Sequence, residues 1–376
     1  MKIALLLAVI NRAVGGVLLV GARGTAKTTA VRGLVDLLPT VERSTCEYGC
    51  EPADVARYGF DGVCKNCATK LGMGDPITVA EPMKLVELPL NARLEDVVGG
   101  INERVALEQE KVLLERGILA RADQNLLYID EVNLLDNMLI DAILDAAAQG
   151  QYTVRRGPMS ATYRSRFTLV GSMNPEEGLL RPQIQDRFGL RVLVRGMTGQ
   201  KARMEIYNRA VSYKNKPFKF VRDWRAETES AAVEVAEACK RLPNVRLTRQ
   251  VETAGLRWIQ QLKIDSHRAE MTLFEAGRAL AAADGRLSVT LDDLRTVAPL
   301  ALRQRQTEIA SEFFKLQEKE DKKIRQIVDA PITTRRRRKK STRGSSDATN
   351  GQSPPDTPPT KAPNDIEGAP DIPQKQ

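Results

Sequence analysis

One histidine, His267, is all that 376 residues contain. That scarcity excludes multi-histidine metal sites and leaves any Ser–His or Cys–His dyad a single base, so nucleophilic hydrolysis is a poor expectation. Aromatic residues make up only 5% against 28% charged, a balance that suits a helix-rich α/β chain. No apolar run approaches the roughly 18 residues needed to cross a bilayer, so membrane insertion is not expected. The opening MKIALLLAVI puts Lys2 before a short apolar run. Arg12 follows closely, however, and no small-x-small cleavage site is present, which argues against a secretory signal. The expected location is the cytoplasm of a bacterium or archaeon, or the stroma of a plastid. Acidic charge is in mild deficit, with a net charge of +9. Much of that lies in the last 46 residues, where nine Lys/Arg face five Asp/Glu. The rest is only mildly basic, and nucleic acid is not expected as a partner.

What is present centres on VLLVGARGTAKTTAVRGLVD, residues 17 to 36. An apolar strand, a loop with Gly21 and Gly24, and a helix opening at Lys27 together read as a phosphate cradle. Backbone N–H groups and the positive end of the helix face an anionic polyphosphate. The nucleotide-binding stretch is Gly21, Ala22, Arg23, Gly24, Thr25, Ala26, Lys27, Thr28 and Thr29. Lys27 would reach the β- and γ-phosphates, and Thr28 would hold Mg²⁺ through its hydroxyl. One position departs from G-x-x-x-x-G-K-[ST]: Ala26 stands where a second glycine is usual, and it fits if that position is already helical. A glycine-rich turn without a ligand is the bland alternative.

Residues 44 to 72 interrupt the pattern with Cys46-x3-Cys50, thirteen residues, then Cys64-x2-Cys67. Four thiolates in two tight pairs suit a structural, tetrahedral Zn²⁺, since the metal replaces the core that so short a segment lacks. An iron–sulfur cluster, a redox pair or unligated thiols are the other readings. A catalytic metal is disfavoured, because four protein ligands leave no open position. Cys239 stands alone on an apolar helix face and reads as core.

Further on, NLLYIDEVNLL delivers Asp130 and Glu131 to the end of a buried strand, the edge where ligands of parallel sheets bind. Asp130 would steady the Mg²⁺ and its water, and Glu131 would polarise the attacking water. A helix N-cap is the plain alternative. Strands are also expected at 85–90, 167–171 and 190–194, with a hairpin between about 151 and 164. The fourth strand ends at Asn174, which can bind a γ-phosphate or water, or simply form a turn before Pro175. Helices are expected at 3–14, at 101–116 with Glu103, Glu108, Glu110 and Glu115 on a solvated face, and at 134–148. From 199 to 312 the spacing is helical throughout, with a Thr290–Asp293 capping box. Past about 330, RRRRKK gives way to Ser, Pro, Asp and Thr, a composition that cannot bury enough apolar surface to order itself. A solvated tail is the default there, with nucleic acid or an acidic partner as alternatives.

With GARGTAKTT, ELPLNARLEDVVGG, ILARADQNLLYIDEVNLLD, GSMNPEEGLLRPQIQDRFGL and SHRAEMTLFEAGRALAAADGR in view, the chain resembles the AAA+ ATPase subunit of magnesium chelatase. The wider branch includes cobaltochelatase and MoxR-type ATPases, and the GTAKT loop also occurs in it. The likeness covers about residues 1 to 310. It implies an α/β fold, a P-loop AAA+ domain with a five-stranded parallel sheet at 1–197 carrying the cysteine insertion at 44–72. An all-helical lid at 198–312 and a charged helix with a basic, Pro-rich tail at 313–376 follow. It also implies ATP and Mg²⁺, a homo-hexameric ring with nucleotide between neighbours, and two partners. These are a larger ATPase-like subunit with a von Willebrand-type domain and a porphyrin-binding subunit. By position, Asn174 is similar to the sensor of the γ-phosphate, Arg187 to the arginine finger and Arg268 to the lid's sensor arginine. Either arginine could instead make an ordinary surface ion pair.

Three features depart from that pattern. The chain begins at the helix before the first strand, which leads to the expectation that the natural start lies upstream. The four cysteines are absent from the simplest motor subunits. The tail resembles the beginning of the larger subunit's linker, with no von Willebrand-type domain expected after it. The leading expectation is an ATP-driven ring motor for Mg²⁺ insertion into protoporphyrin IX held by a partner. The alternatives are a MoxR-like remodelling ATPase, a nucleotide-binding scaffold with weak hydrolysis and, ranked low, a nucleic-acid motor.

Overall fold

The structure is a computed structural model, and it describes residues 1–101, 114–157 and 159–303. Five strands build the central sheet: β1 (Val17–Val20), β2 (Leu85–Leu88), β3 (Leu126–Ile129), β4 (Thr168–Met173) and β5 (Leu190–Leu193). They are all parallel, in the order β5-β1-β4-β3-β2. Every residue of β1, β3 and β4 is buried, as expected of parallel strands covered on both faces.

One face carries Val17, Leu19, Tyr128 and Val170 into a core shared with the first helix, Lys2–Ile10, and the helices Arg225–Arg241, Arg249–Gln261, Arg268–Ala283 and Leu291–Ala301. The apolar start of the chain is thus buried against the C-terminal helices. Leu18, Leu127, Ile129 and Leu169 fill the other face against the helix Asn137–Gln149, through its Leu139, Ile140, Ile143 and Leu144. Within the helical part, the anticipated capping box is formed: Thr290 and Asp293 each accept from the other's backbone N–H. Arg286 grips Asp293 through two hydrogen bonds. Cys239 lies half-buried at the edge of the first core. Among the described residues no helix is long and apolar enough to cross a membrane.

One expected element needs correction. A helix over 101–116 is contradicted at both ends, where Gly99–Ile101 pairs antiparallel with Leu114–Arg116. The charged spacing suggested helix, but Gly99 at φ 104 turns the chain into an extended ladder. Glu115 lies in that ladder; Glu103, Glu108 and Glu110 lie outside the described residues, as do residues 304 to 376 with the end of the last expected helix and the tail. The cysteine insertion is also closed by an unanticipated ladder, Thr40–Ser44 against Thr78–Pro82. Its strands are short and half-exposed, so they carry little apolar alternation to read.

Candidate functional site

Because β4 lies between β1 and β3, the loops leaving those three strands open at one edge of the sheet. Register fixes their neighbours: Val20 aligns with Met173, and Ile129 with Gly171. One residue further on, Gly21 therefore faces Asn174 and Asp130 faces Ser172. The loop after β1 must turn tightly here. A Cβ on Gly21 would sit 2.3 Å from the Val194 carbonyl oxygen, so only glycine lets the cradle start against β5.

Ala26 departs from expectation. It is the N-cap of the helix Lys27–Arg32 and lies in the left-handed region, φ 63 and ψ 30, not inside the helix. A side chain there costs about 1–2 kcal/mol, which is the physical reason a glycine is usual. Lys27 Nζ donates to the carbonyls of Gly21 (2.7 Å) and Ala22 (3.0 Å), which hold the ammonium inside the loop. Arg23 forms an ion pair with Glu177 just past Asn174.

The carboxylate end is a small network. Thr28 Oγ donates to Asp130 Oδ2 at 3.1 Å. The Tyr128 hydroxyl donates to Asp130 Oδ1 at 2.8 Å and lies 3.1 Å from Thr28 Oγ. Ser172 Oγ donates to Asp130 as well and accepts from the Glu131 N–H at 3.2 Å. Burial alone would raise the Asp130 carboxyl, but the bonds from Ser172, Tyr128 and Thr28 outweigh it and hold the pKa below the usual value. Burial pushes the Tyr128 phenol up to about 12, so it remains a donor at neutral pH. Glu131 has left-handed backbone, φ 50 and ψ 51, a conformation held by the Ser172 bond. A threonine hydroxyl beside an ionised carboxylate is a hard oxygen pair of the kind Mg²⁺ takes.

Lys27, Thr28, Asp130, Glu131, Ser172 and Asn174 line one cleft of about 230 Å³, together with Arg23 to Ala26 and Thr29. Asn174 is only 3% exposed and also caps the short turn that follows, accepting from Glu176 N at 3.3 Å. The turn before Pro175 is thus formed, and the same side chain lines the cleft. Gly21 and Ala22 touch this constellation through Lys27.

The two arginines are elsewhere. Arg187, the last residue of the helix Pro182–Arg187, pairs with Asp145 at 2.6 Å. Arg268 pairs with Asp186 at 3.4 Å, and Asp186 also accepts from Ser266 at 2.8 Å. Arg187 and Arg268 line a second cleft, of about 330 Å³, that shares no residue with the first. The four cysteines do converge: their Sγ atoms all lie within 4.8 Å of one another.

Over 306 residues the chain is 40% identical to the magnesium-chelatase subunit ChlI homolog of Methanocaldococcus jannaschii, covering 81% of this chain and 82% of that one. The chain belongs to the magnesium chelatase ChlI family. The magnesium-chelatase subunit ChlI of a Nostoc species is 38% identical over 307 residues, 81% of each chain. The family model for magnesium chelatase, subunit ChlI, matches residues 103–187, and that for the AAA lid domain matches residues 259–327. A crystal structure from Cytophaga hutchinsonii, 16% identical with a TM-score of 0.52, covers 83% of this chain and 84% of that one and shares the fold. As a ChlI-family AAA+ ATPase, the chain works with ATP and Mg²⁺.

Sequence reasoning passed over Tyr128 and Ser172. Tyr128 had a legible signal: it is the one hydroxyl in LLYID, two residues before Asp130 and hence on the same side of the strand. Ser172 had none, since its bond to Asp130 spans 42 positions.

Proposed function

We propose that this chain is the ATP-hydrolysing ring motor of a magnesium chelatase-like complex, driving Mg²⁺ insertion into a porphyrin, protoporphyrin IX, held by a partner subunit. Residues 1–197 act as the nucleotide-binding domain and 198–312 as the lid. One observation carries the reading: the cleft that holds Lys27, the carboxylate pair and Asn174 has neither Arg187 nor Arg268 on its walls. Phosphoryl transfer requires positive charge as the γ-phosphate departs. The cleft's own cations, Lys27 and Arg23, sit in the phosphate loop, which leaves an arginine finger to be supplied by a neighbour, as a hexameric ring provides. The names of the ChlI relatives, subunits of magnesium chelatase, support the chelatase assignment and a complex of several subunits; a larger ATPase-like subunit is the proposed partner.

In this reading Gly21 to Thr29 wrap the triphosphate and Lys27 leaves its carbonyl partners for the β- and γ-phosphates. Thr28 and Asp130 hold Mg²⁺, which neutralises charge on the phosphates. Glu131 orients and deprotonates the attacking water, and Asn174 contacts the γ-phosphate or that water. Arg187 enters the next subunit's cleft; Arg268, beside it on the same wall, joins it there. Tyr128 and Ser172 position Asp130. Cys46, Cys50, Cys64 and Cys67 hold a structural Zn²⁺.

The test is reconstitution: this chain, the larger subunit and the porphyrin-binding subunit are combined with ATP, Mg²⁺ and protoporphyrin IX. Growth of Mg-porphyrin fluorescence that requires this chain is the expected result. ATP hydrolysis without any porphyrin product would refute the chelatase assignment and leave the ATPase intact.

Tyr128→Phe gives a finer check. Losing a hydrogen bond to a charged group costs about 1.5 kcal/mol, so the Mg²⁺ concentration for half-maximal turnover is expected to rise roughly tenfold. ATP binding measured without Mg²⁺ should not change. An unaltered Mg²⁺ dependence would remove Tyr128 from the ion's support.

A further inference from the structure

The module between Ser44 and Thr78 has almost no core of its own. Its buried apolar residues are Cys50, Cys67 and Ile77, with Cys46, Val63, Cys64 and Leu71 packed partly against them. So small an apolar cluster does not order some thirty residues by itself. Its backbone is nevertheless arranged around sulfur: Cys50 N–H donates to Cys46 Sγ at 3.4 Å and Cys64 N–H to Cys50 Sγ at 3.3 Å. With all four Sγ within 4.8 Å, a modest contraction reaches the ~3.8 Å sulfur spacing of a tetrahedral site with 2.3 Å Zn–S bonds.

The outer surface of this module meets the hairpin formed by Gln151–Arg156 and Met159–Arg164, and Glu51 also accepts from Gln124 Nε2 at 3.2 Å. Tyr48, between the first two cysteines, stacks on Tyr163 with ring centroids 5.7 Å apart. Its carbonyl accepts from Arg164 N–H at 3.4 Å. The Arg164 guanidinium bonds Asp54 and lies 3.4 Å from Glu51, both in the segment between the cysteine pairs. Glu51 reaches Arg166 at 2.8 Å as well. Gly49 closes the fit: a Cβ there would lie 2.8 Å from Arg164 Cβ, and its φ is +82°. On its other side the hairpin packs on Gly99–Ile101, Leu114–Arg116, Ile118–Arg121 and the helix Asn137–Gln149, but the apolar residues buried in that cluster are few: Ala120, Val154 and Tyr163.

We propose that the ion at Cys46, Cys50, Cys64 and Cys67 is the pin that seats the hairpin Gln151–Arg164, making the order of that hairpin depend on metal. This rests on the reading that the four thiolates bind Zn²⁺. Metal organises the loop that presents Tyr48, Gly49, Glu51 and Asp54, and those groups hold Tyr163 and Arg164. The nucleotide cleft uses none of them, so the ion governs the hairpin and not ATP binding.

The experiment is hydrogen exchange of the full chain, as purified and after a strong chelator has stripped the metal, with metal content measured alongside. About one zinc per chain is expected. Stripping should speed exchange in residues 151–164 tenfold or more, reversibly on adding Zn²⁺, while β1 and β3 stay protected and ATP affinity stays within twofold. Gly49→Ala keeps every thiolate and should loosen the hairpin with zinc still bound. If zinc is present and its removal leaves the hairpin protected, the pin is wrong while the metal reading stands. If no metal binds and all four thiols titrate freely, both fall. Loss of protection throughout the sheet on stripping would also overturn the proposal, because the ion would then support the whole domain.

Discussion

Replacing Arg187 with alanine is expected to lower ATP turnover by roughly a thousandfold or more, the scale associated with a transition-state arginine, while ATP binding by the dilute chain stays within about twofold. The two effects separate because Arg187 lines a different cleft from Lys27, Asp130 and Glu131. Its partner within the chain, Asp145, is more than half exposed, so the ion pair contributes little stability and is readily exchanged for a phosphate. A weakened ATP affinity in the isolated chain would place Arg187 in its own subunit's site and overturn the shared-site reading.

Glu131→Gln is the second large effect. Glutamine keeps the size and polarity of the side chain, and the Ser172 bond to the backbone N–H of residue 131 is unaffected. It cannot accept the proton of the attacking water, so turnover should fall by roughly a hundred- to ten-thousandfold with ATP still bound. Turnover close to normal would remove Glu131 from the chemistry. Mixing the two inactive variants makes a sharper test. In a head-to-tail ring, roughly a quarter of the interfaces in an equal mixture combine an intact Glu131 with an intact neighbouring Arg187. Partial recovery is therefore expected, whereas a site contained within one chain would recover nothing.

Much of the phosphate site was legible because its parts are contiguous. A strand, a glycine turn and Lys27-Thr28 form one run, and Asp130-Glu131 ends another. Even so, Ala26 misled: composition suggested a residue already in the helix, but the turn needs left-handed backbone at that point. At the two ends of 101–116 the charged spacing misled similarly, since a charge pattern alone does not distinguish a solvated helix from an exposed ladder. Tyr128 escaped notice inside an apolar strand, although its hydroxyl contacts Asp130.

By itself the sequence determined the chemistry available to this protein: a phosphate loop, a carboxylate pair at a strand end and two thiol pairs, each readable because local backbone geometry ties neighbouring residues to one site. Tertiary structure alone decided who meets whom. It brought Ser172 to Asp130 across β4 and β3, Arg164 to the cysteine module, and Arg187 with Arg268 to a wall away from the nucleotide cleft. The physical reason is that strand order and core packing join residues tens to hundreds of positions apart, and no local periodicity encodes such distances.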